Sequence, residues 1–113
     1  MPGDDPSGAR TRTERVGRAG IAVMLVAHLV WDPVLTLVGV ATFGVAEEDT
    51  AIVRTLLSIH PAVWLGAKVV VLGAFTAVFF RIGGHRDLGT AWLPWAVALL
   101  AILAPLGWLE LLL

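Results

Sequence analysis

The sequence predicts an all-α membrane protein: three transmembrane helices, with one short interfacial helix between the first and the second. Three observations predict it. Apolar residues make up 58% of the 113-residue chain and charged residues only 15%, against about 25% charged in soluble domains. The charges are gathered into short segments separated by three long apolar stretches. Each stretch reaches the roughly 20 residues that an α-helix needs to cross a hydrocarbon core of about 30 Å. With so few charges, a chain of this size cannot cover its surface with polar groups in water.

The first element is an arm, residues 1–18, carrying Arg10, Arg12, Arg15 and Arg18. It lacks an apolar face and is predicted to be disordered as far as about Thr13. The first span follows, over about residues 19–46. Its only ionisable interruptions are His28 and Asp32, and Pro33 adds a kink because it has no N–H to offer the carbonyl of Leu29. The stretch reads as a span rather than a secretory signal, whose apolar core runs about 7–15 residues.

Glu47-Glu48-Asp49 ends that span. Asp49 or Thr50 is placed to cap a short helix over about residues 49–60, with Ile52, Val53, Leu56 and Ile59 at helical spacing. It is too short to cross, so it belongs on the membrane surface. The second span, about 61–82, opens on Pro61, which suits a first helical position, and contains Lys68, the single lysine of the chain. Gly83-Gly84-His85-Arg86-Asp87 makes a tight polar connection. The third span, about 89–112, has Trp92 and Trp95 at one end and Trp108 at the other. With Trp64, these suit interfacial aromatic belts.

Arginine placement predicts orientation. With the N-terminus in the cytoplasm, Arg10, Arg12, Arg15, Arg18, Arg81 and Arg86 lie inside and only Arg54 lies outside. The positive-inside rule therefore places the chain in the cell membrane with its C-terminus outside.

The candidate functional residues are the polar groups inside the membrane. His28, Asp32 and Thr36 sit at i, i+4 and i+8, so they form one stripe on the first span. Asp32 facing lipid costs about 2.5–3.5 kcal/mol on insertion scales, so the stripe faces the bundle interior. Lys68 is seven residues from Pro61, or about 10 Å below the outer boundary. From there its stem reaches inward to Thr36 or Asp32, or snorkels outward to Glu47 or Glu48. The first option makes a buried ion pair near the midplane and the second a rim pair above a drier bundle. Either way the expected intramembrane network comprises His28, Asp32, Thr36, Glu47, Glu48 and Lys68. Gly66, Gly73 and Ala77 give the second span a small-residue face suited to close helix approach.

Other chemistries find no support in the residues. The chain has no cysteine, which removes disulfides, thiolate metal sites and cysteine nucleophiles. His28, His60 and His85 fall at three different depths, so no axial pair for haem is expected. Neither a catalytic constellation, a cofactor, a metal site nor a nucleic-acid-binding face is predicted. The expected partners are the lipid bilayer and either further copies of the chain or another membrane protein.

The polar skeleton runs Asp32-x-x-x-Thr36-x-x-Gly39, then Glu47-Glu48-Asp49, then Arg54-x-Leu56-Leu57, then Gly66-Ala67-Lys68. Over about residues 20–82 it resembles a family of small prokaryotic, largely archaeal, multi-pass membrane proteins classed as a domain of unknown function. That family's pattern is an Asp followed by one or two Thr, an acidic-x-Asn-Pro turn and a Lys in the next helix. Here Asp49-Thr50 stands at the Asn-Pro position, one Thr follows Asp32, and Pro33 lies beside it. The resemblance implies that Asp32, Glu47 and Lys68 act as one constellation, and it implies no reaction or ligand. The function expected is that of a structural, assembly or accessory subunit held by its buried polar network. The alternative is a small homo-oligomeric ion- or proton-coupled transporter or channel using Asp32 and Lys68.

Overall fold

The structure is a computed structural model that describes residues 6–113. The first span is one rod made of α1 (Pro6–Val26), a π-helical turn (Ala27–Trp31) and α2 (Asp32–Phe43). Gly44, at φ +95°, takes a backbone conformation open to glycine and ends the rod. After a 3-10 turn (Val45–Glu47) come the short α3 (Ala51–Ile59) and the second span, α4 (Pro61–Arg81). A second left-handed glycine, Gly83 at φ +73°, and a 3-10 turn (Gly84–Arg86) lead to α5 (Leu93–Leu103) and α6 (Leu106–Leu112). Among the described residues, three helices are long and apolar enough to cross a membrane: Thr11–Phe43, Pro61–Arg81 and Leu93–Leu112. The protein is thus an all-α membrane protein with a short helix between its first two spans.

Several boundaries differ from those the sequence predicts. The basic arm is helical from Pro6 rather than disordered to Thr13; residues 1–5 of the expected arm lie outside the described residues. Nucleation is the costly step in helix formation, and the apolar span beyond Gly17 supplies the nucleus. Tertiary contacts then hold the extension: Glu14 pairs with Arg86 at 3.6 Å, and the carbonyl of Val16 accepts the Trp95 indole N–H at 2.8 Å. The third span begins at Leu93 rather than 89 and is interrupted at Ala104–Pro105, because proline cannot continue the α-helical ladder. On α3 the buried residue is Leu57, while Ile52 and Ile59 face outward.

The rod packs along α5 and, through α2, along α6. Small residues set the spacing. A Cβ on Gly20 would lie 2.8 Å from the Trp95 ring, and one on Gly39 only 2.1 Å from Cε3 of Trp108. Ala98 and Ala101 of α5 complete this close contact, with Ile21, Met24 and Ala27 opposite them. α4 stands further off, and Leu72, Phe75, Phe79 and Phe80 fill the gap to the rod. The small-residue face expected on α4 does not serve packing within the chain. Gly66, Gly73 and Ala77 are exposed, and nothing lies within 4 Å of a Cβ built on either glycine.

The two ends of the bundle differ in charge. Arg12, Arg15, Arg18, Arg81 and Arg86 belong to the end where α1 begins, α4 ends and the Gly84–Arg86 turn packs on α1. Arg54 belongs to the other end.

These contacts set an order of sensitivity. Gly39→Ala forces a methyl group into the Trp108 ring and is expected to destabilise the protein by about 1–3 kcal/mol. Gly73→Ala meets open space and should be neutral or stabilising by about 0.5–1 kcal/mol through helix propensity. Equilibrium unfolding of the two variants in detergent micelles checks the ranking; equal stability of both would show that the α2–α6 contact is loose.

Candidate functional site

The site begins with a backbone defect. In the π turn the Asp32 N–H bonds to the carbonyl of Ala27, five residues back rather than four. In that register the next donor, due to the carbonyl of His28, is residue 33, and Pro33 has no N–H. The kink expected at Pro33 is therefore taken up by the π turn, and the carbonyl it leaves open is that of His28 rather than Leu29.

Lys68 fills the vacancy. From α4 its ammonium donates to the His28 carbonyl at 3.2 Å, to Nδ1 of the His28 ring at 3.3 Å and to Oδ2 of Asp32. These three acceptors use all three donors of an ammonium. The ring of Trp64, one helical turn before Lys68 and only 2% exposed, lies 5.2 Å from Nζ and adds a cation–π contact. Thr36, one turn beyond Asp32, donates to Oδ1 at 3.0 Å. Asp32 and Thr36 are both buried.

His28 ties the network to the third span. Its Nε2 lies 2.8 Å from the carbonyl of Val97 in α5. A carbonyl only accepts, so Nε2 carries the proton and Nδ1 is the acceptor for Lys68. One imidazole thus joins all three spans. The indole N–H of Trp31, at the end of the π turn, donates to the carbonyl of Ile102 at 3.1 Å and repeats this side chain-to-backbone tie.

Of the six residues predicted to form one network, His28, Asp32, Thr36 and Lys68 come together. Glu48 does not meet Lys68. It is buried at the end of the bundle that carries Arg54, where Oε2 accepts the Trp108 indole N–H at 2.8 Å, Oε1 accepts the Thr50 backbone N–H at 3.2 Å, and its carbonyl accepts Arg54 Nη1 at 2.9 Å. Glu48 therefore organises the start of α3, and neither the Asp49 nor the Thr50 side chain caps that helix. Glu47 is exposed and lines a separate cavity at that same end with Asp49 and Glu110. Among the topology arginines, Arg86 pairs with Glu14.

Two tryptophans are also displaced from their expected roles. Trp64 and Trp108 are interior groups rather than belt residues, whereas Trp92 and Trp95 are exposed as a belt requires. Sequence reasoning missed the part played by Val97, whose contribution is a backbone carbonyl that no residue type signals.

A cavity of about 390 Å³ lies beside the network between α3, α4 and α5. Its walls are mainly apolar, with His28, Asp32, Thr50, Trp64 and Lys68 as its polar residues. On the other side of His28 the interior is closed by Ile21, Met24 and Phe79, with Met24 at 0% exposure.

Replacing His28 by Leu removes an acceptor from Lys68 and the donor to Val97. It is expected to cost about 1–3 kcal/mol, the penalty for leaving buried polar groups unmatched. His28→Gln, which offers both an acceptor and a donor, should recover part of the loss; equal unfolding midpoints for wild type and His28→Leu would contradict the arrangement.

No protein-family model, curated protein or solved structure matches the chain.

Proposed function

We propose that the protein is a structural or accessory subunit of the cell membrane, acting by assembly with further copies of itself or with another membrane protein. The observation that carries this reading is the closure of the polar network. Every donor of Lys68 is taken up inside the chain, and each Asp32 oxygen already holds a partner. Buried ionic groups of this kind serve register better than stability, because desolvation offsets much of their attraction. The exposed flank of α4 bearing Gly66, Gly73 and Ala77 offers close approach to a neighbouring helix.

Transport by Asp32 and Lys68 is the reading this argument displaces. A proton or ion route needs polar groups continuing to both faces, and the layer of Ile21, Met24 and Phe79 is apolar.

The test is a double-mutant cycle with cross-linking in native membranes as the readout. Asp32→Leu and Lys68→Leu each leave one charge unpaired and should cost about 3–5 kcal/mol and the cross-linked species. The double variant should regain the cross-linked species and the part of the stability lost to the unpaired charge, but not the part lost with the Lys68 donor to the His28 carbonyl. Additive losses would remove the register role, and proton or cation flux in proteoliposomes that Asp32→Asn abolishes would overturn the assembly reading.

We propose the N-in, C-out orientation on the same arginine asymmetry, five of the described arginine side chains at one end against one at the other. The absence of native cysteine makes it testable with single introduced thiols. In intact cells an impermeant maleimide should label Ser58→Cys but not Leu88→Cys until the membrane is broken; the opposite pattern would invert the orientation.

A further inference from the structure

The cavity between α3, α4 and α5 has a composition that selects its occupant. Ile52, Val53, Leu56, Val71, Leu100 and Ala104 line most of it. Ile52, Val71 and Leu100 are also among the most exposed apolar residues, at 69%, 66% and 66%. They belong to the lipid-facing rim, so entry is from the bilayer. A volume of about 390 Å³ falls in the range of small-molecule sites.

The polar part of the cavity has a definite hydrogen-bonding character. The Lys68 ammonium has no free donor, since Asp32 Oδ2, the His28 carbonyl and His28 Nδ1 take all three. His28 Nε2–H is committed to Val97. What remains among these three side chains is acceptor capacity. A carboxylate has about four lone-pair sites, and Asp32 uses one on each oxygen, for Thr36 and for Lys68. A carboxylate, phosphate or quinone carbonyl brings no donor for the open Asp32 sites, whereas a hydroxyl does, and its oxygen can also accept from Thr50 or Trp64, which line the same cavity. A cation would find the Asp32 charge already balanced by Lys68.

Depth makes the same selection. Asp32 is eleven residues from the outer end of α2 at Phe43, or about 16 Å at 1.5 Å per residue. That is close to half of a hydrocarbon core of about 30 Å. A charged or zwitterionic headgroup cannot leave the interface for that depth without a large desolvation cost, whereas a single hydroxyl can if it finds an acceptor.

We propose that this cavity binds an uncharged long-chain alcohol of the bilayer, linear or isoprenoid. The hydroxyl donates to the Asp32 carboxylate, and the chain lies between α3, α4 and α5. The site needs no change in the Lys68 network, and it does not depend on whether the protein assembles.

The test uses the full chain in phosphatidylcholine nanodiscs and a hexadecanol bearing an aliphatic diazirine. Photolabelling should map to the cavity residues of α3, α4 and α5. Hexadecanol should compete about tenfold better than hexadecyl methyl ether, which has the same chain and no donor, as the loss of one hydrogen bond to a charged group requires. Hexadecanoate should compete no better than the ether. Ala67→Trp, which fills the cavity, should abolish the labelling, and Ala74→Trp, outside it, should not. Equal competition by alcohol and ether would reduce the cavity to an apolar groove. Preferred binding of hexadecanoate would show a free donor in the network, and labelling spread over all lipid-facing residues would show no site. Each of these three results overturns the proposal. Where Ala67→Trp does not fold, the competition series on the unaltered chain decides alone.

Discussion

The missing N–H of Pro33 is the constraint around which the bundle is organised. It leaves the carbonyl of His28 without a helical partner at a depth where water cannot supply one. Exposed backbone polar groups are not tolerated in hydrocarbon unless another part of the protein satisfies them. Lys68 satisfies this one at 3.2 Å, and a lysine there requires a counter-charge, which Asp32 provides beside the same break. The π turn, the buried charge pair and the register of α4 on the rod therefore answer one another. Removing the lysine leaves both the freed carbonyl and the aspartate unmatched, and removing the aspartate leaves the lysine without its counter-charge.

The three spans are joined by different physics. The rod meets α5 and α6 through small residues that allow close backbone approach, with Gly39 under Trp108 the tightest contact. α4 is held at a greater distance by phenylalanines and fixed in register by Lys68. At the end of the bundle that carries Arg54, the buried carboxylate of Glu48 joins the end of the first span, the start of α3 and Trp108 of the third span. In lipid there is little hydrophobic force between helices, so these polar and close-packed contacts carry the specificity that a soluble bundle draws from apolar burial. His28 shows the economy of this scheme: its two ring nitrogens and its carbonyl reach α4 and α5 from one position.

Much of this was legible in the sequence because the bilayer imposes rules that residue type reveals directly. The lengths of the apolar stretches gave three spans, and Pro61 marked the start of α4. The i, i+4, i+8 spacing of His28, Asp32 and Thr36 placed them on one inward face. Other features depend on geometry that residue type does not encode. Lys68 has a stem long enough to reach either Asp32 or the Glu47–Glu48 rim, and only the helix positions decide between them. The acceptors on Val97, Ile102 and Val16 are carbonyls, identical in every residue. The carbonyl freed by Pro33 follows from a π register that the sequence pattern does not announce. Gly66 and Gly73 have the spacing of a packing face, yet the glycines that pack lie elsewhere, Gly20 and Gly39 against tryptophans and Gly17 against His85. The helical start of the arm depends on Trp95 and Arg86, about 80 residues later in the chain.

A single lysine in the chain makes the central contact directly observable. With [15N]lysine and [4-13C]aspartate incorporated into the full chain in lipid bilayers, solid-state NMR dipolar recoupling reads the distance from the Lys68 ammonium to the nearest aspartate carboxyl. The account predicts strong dephasing, corresponding to a separation within about 4 Å, that Asp32→Asn without the label removes. Absence of dephasing in the unaltered protein would mean that Lys68 does not meet Asp32, and the organisation of the bundle around the break at Pro33 would be wrong.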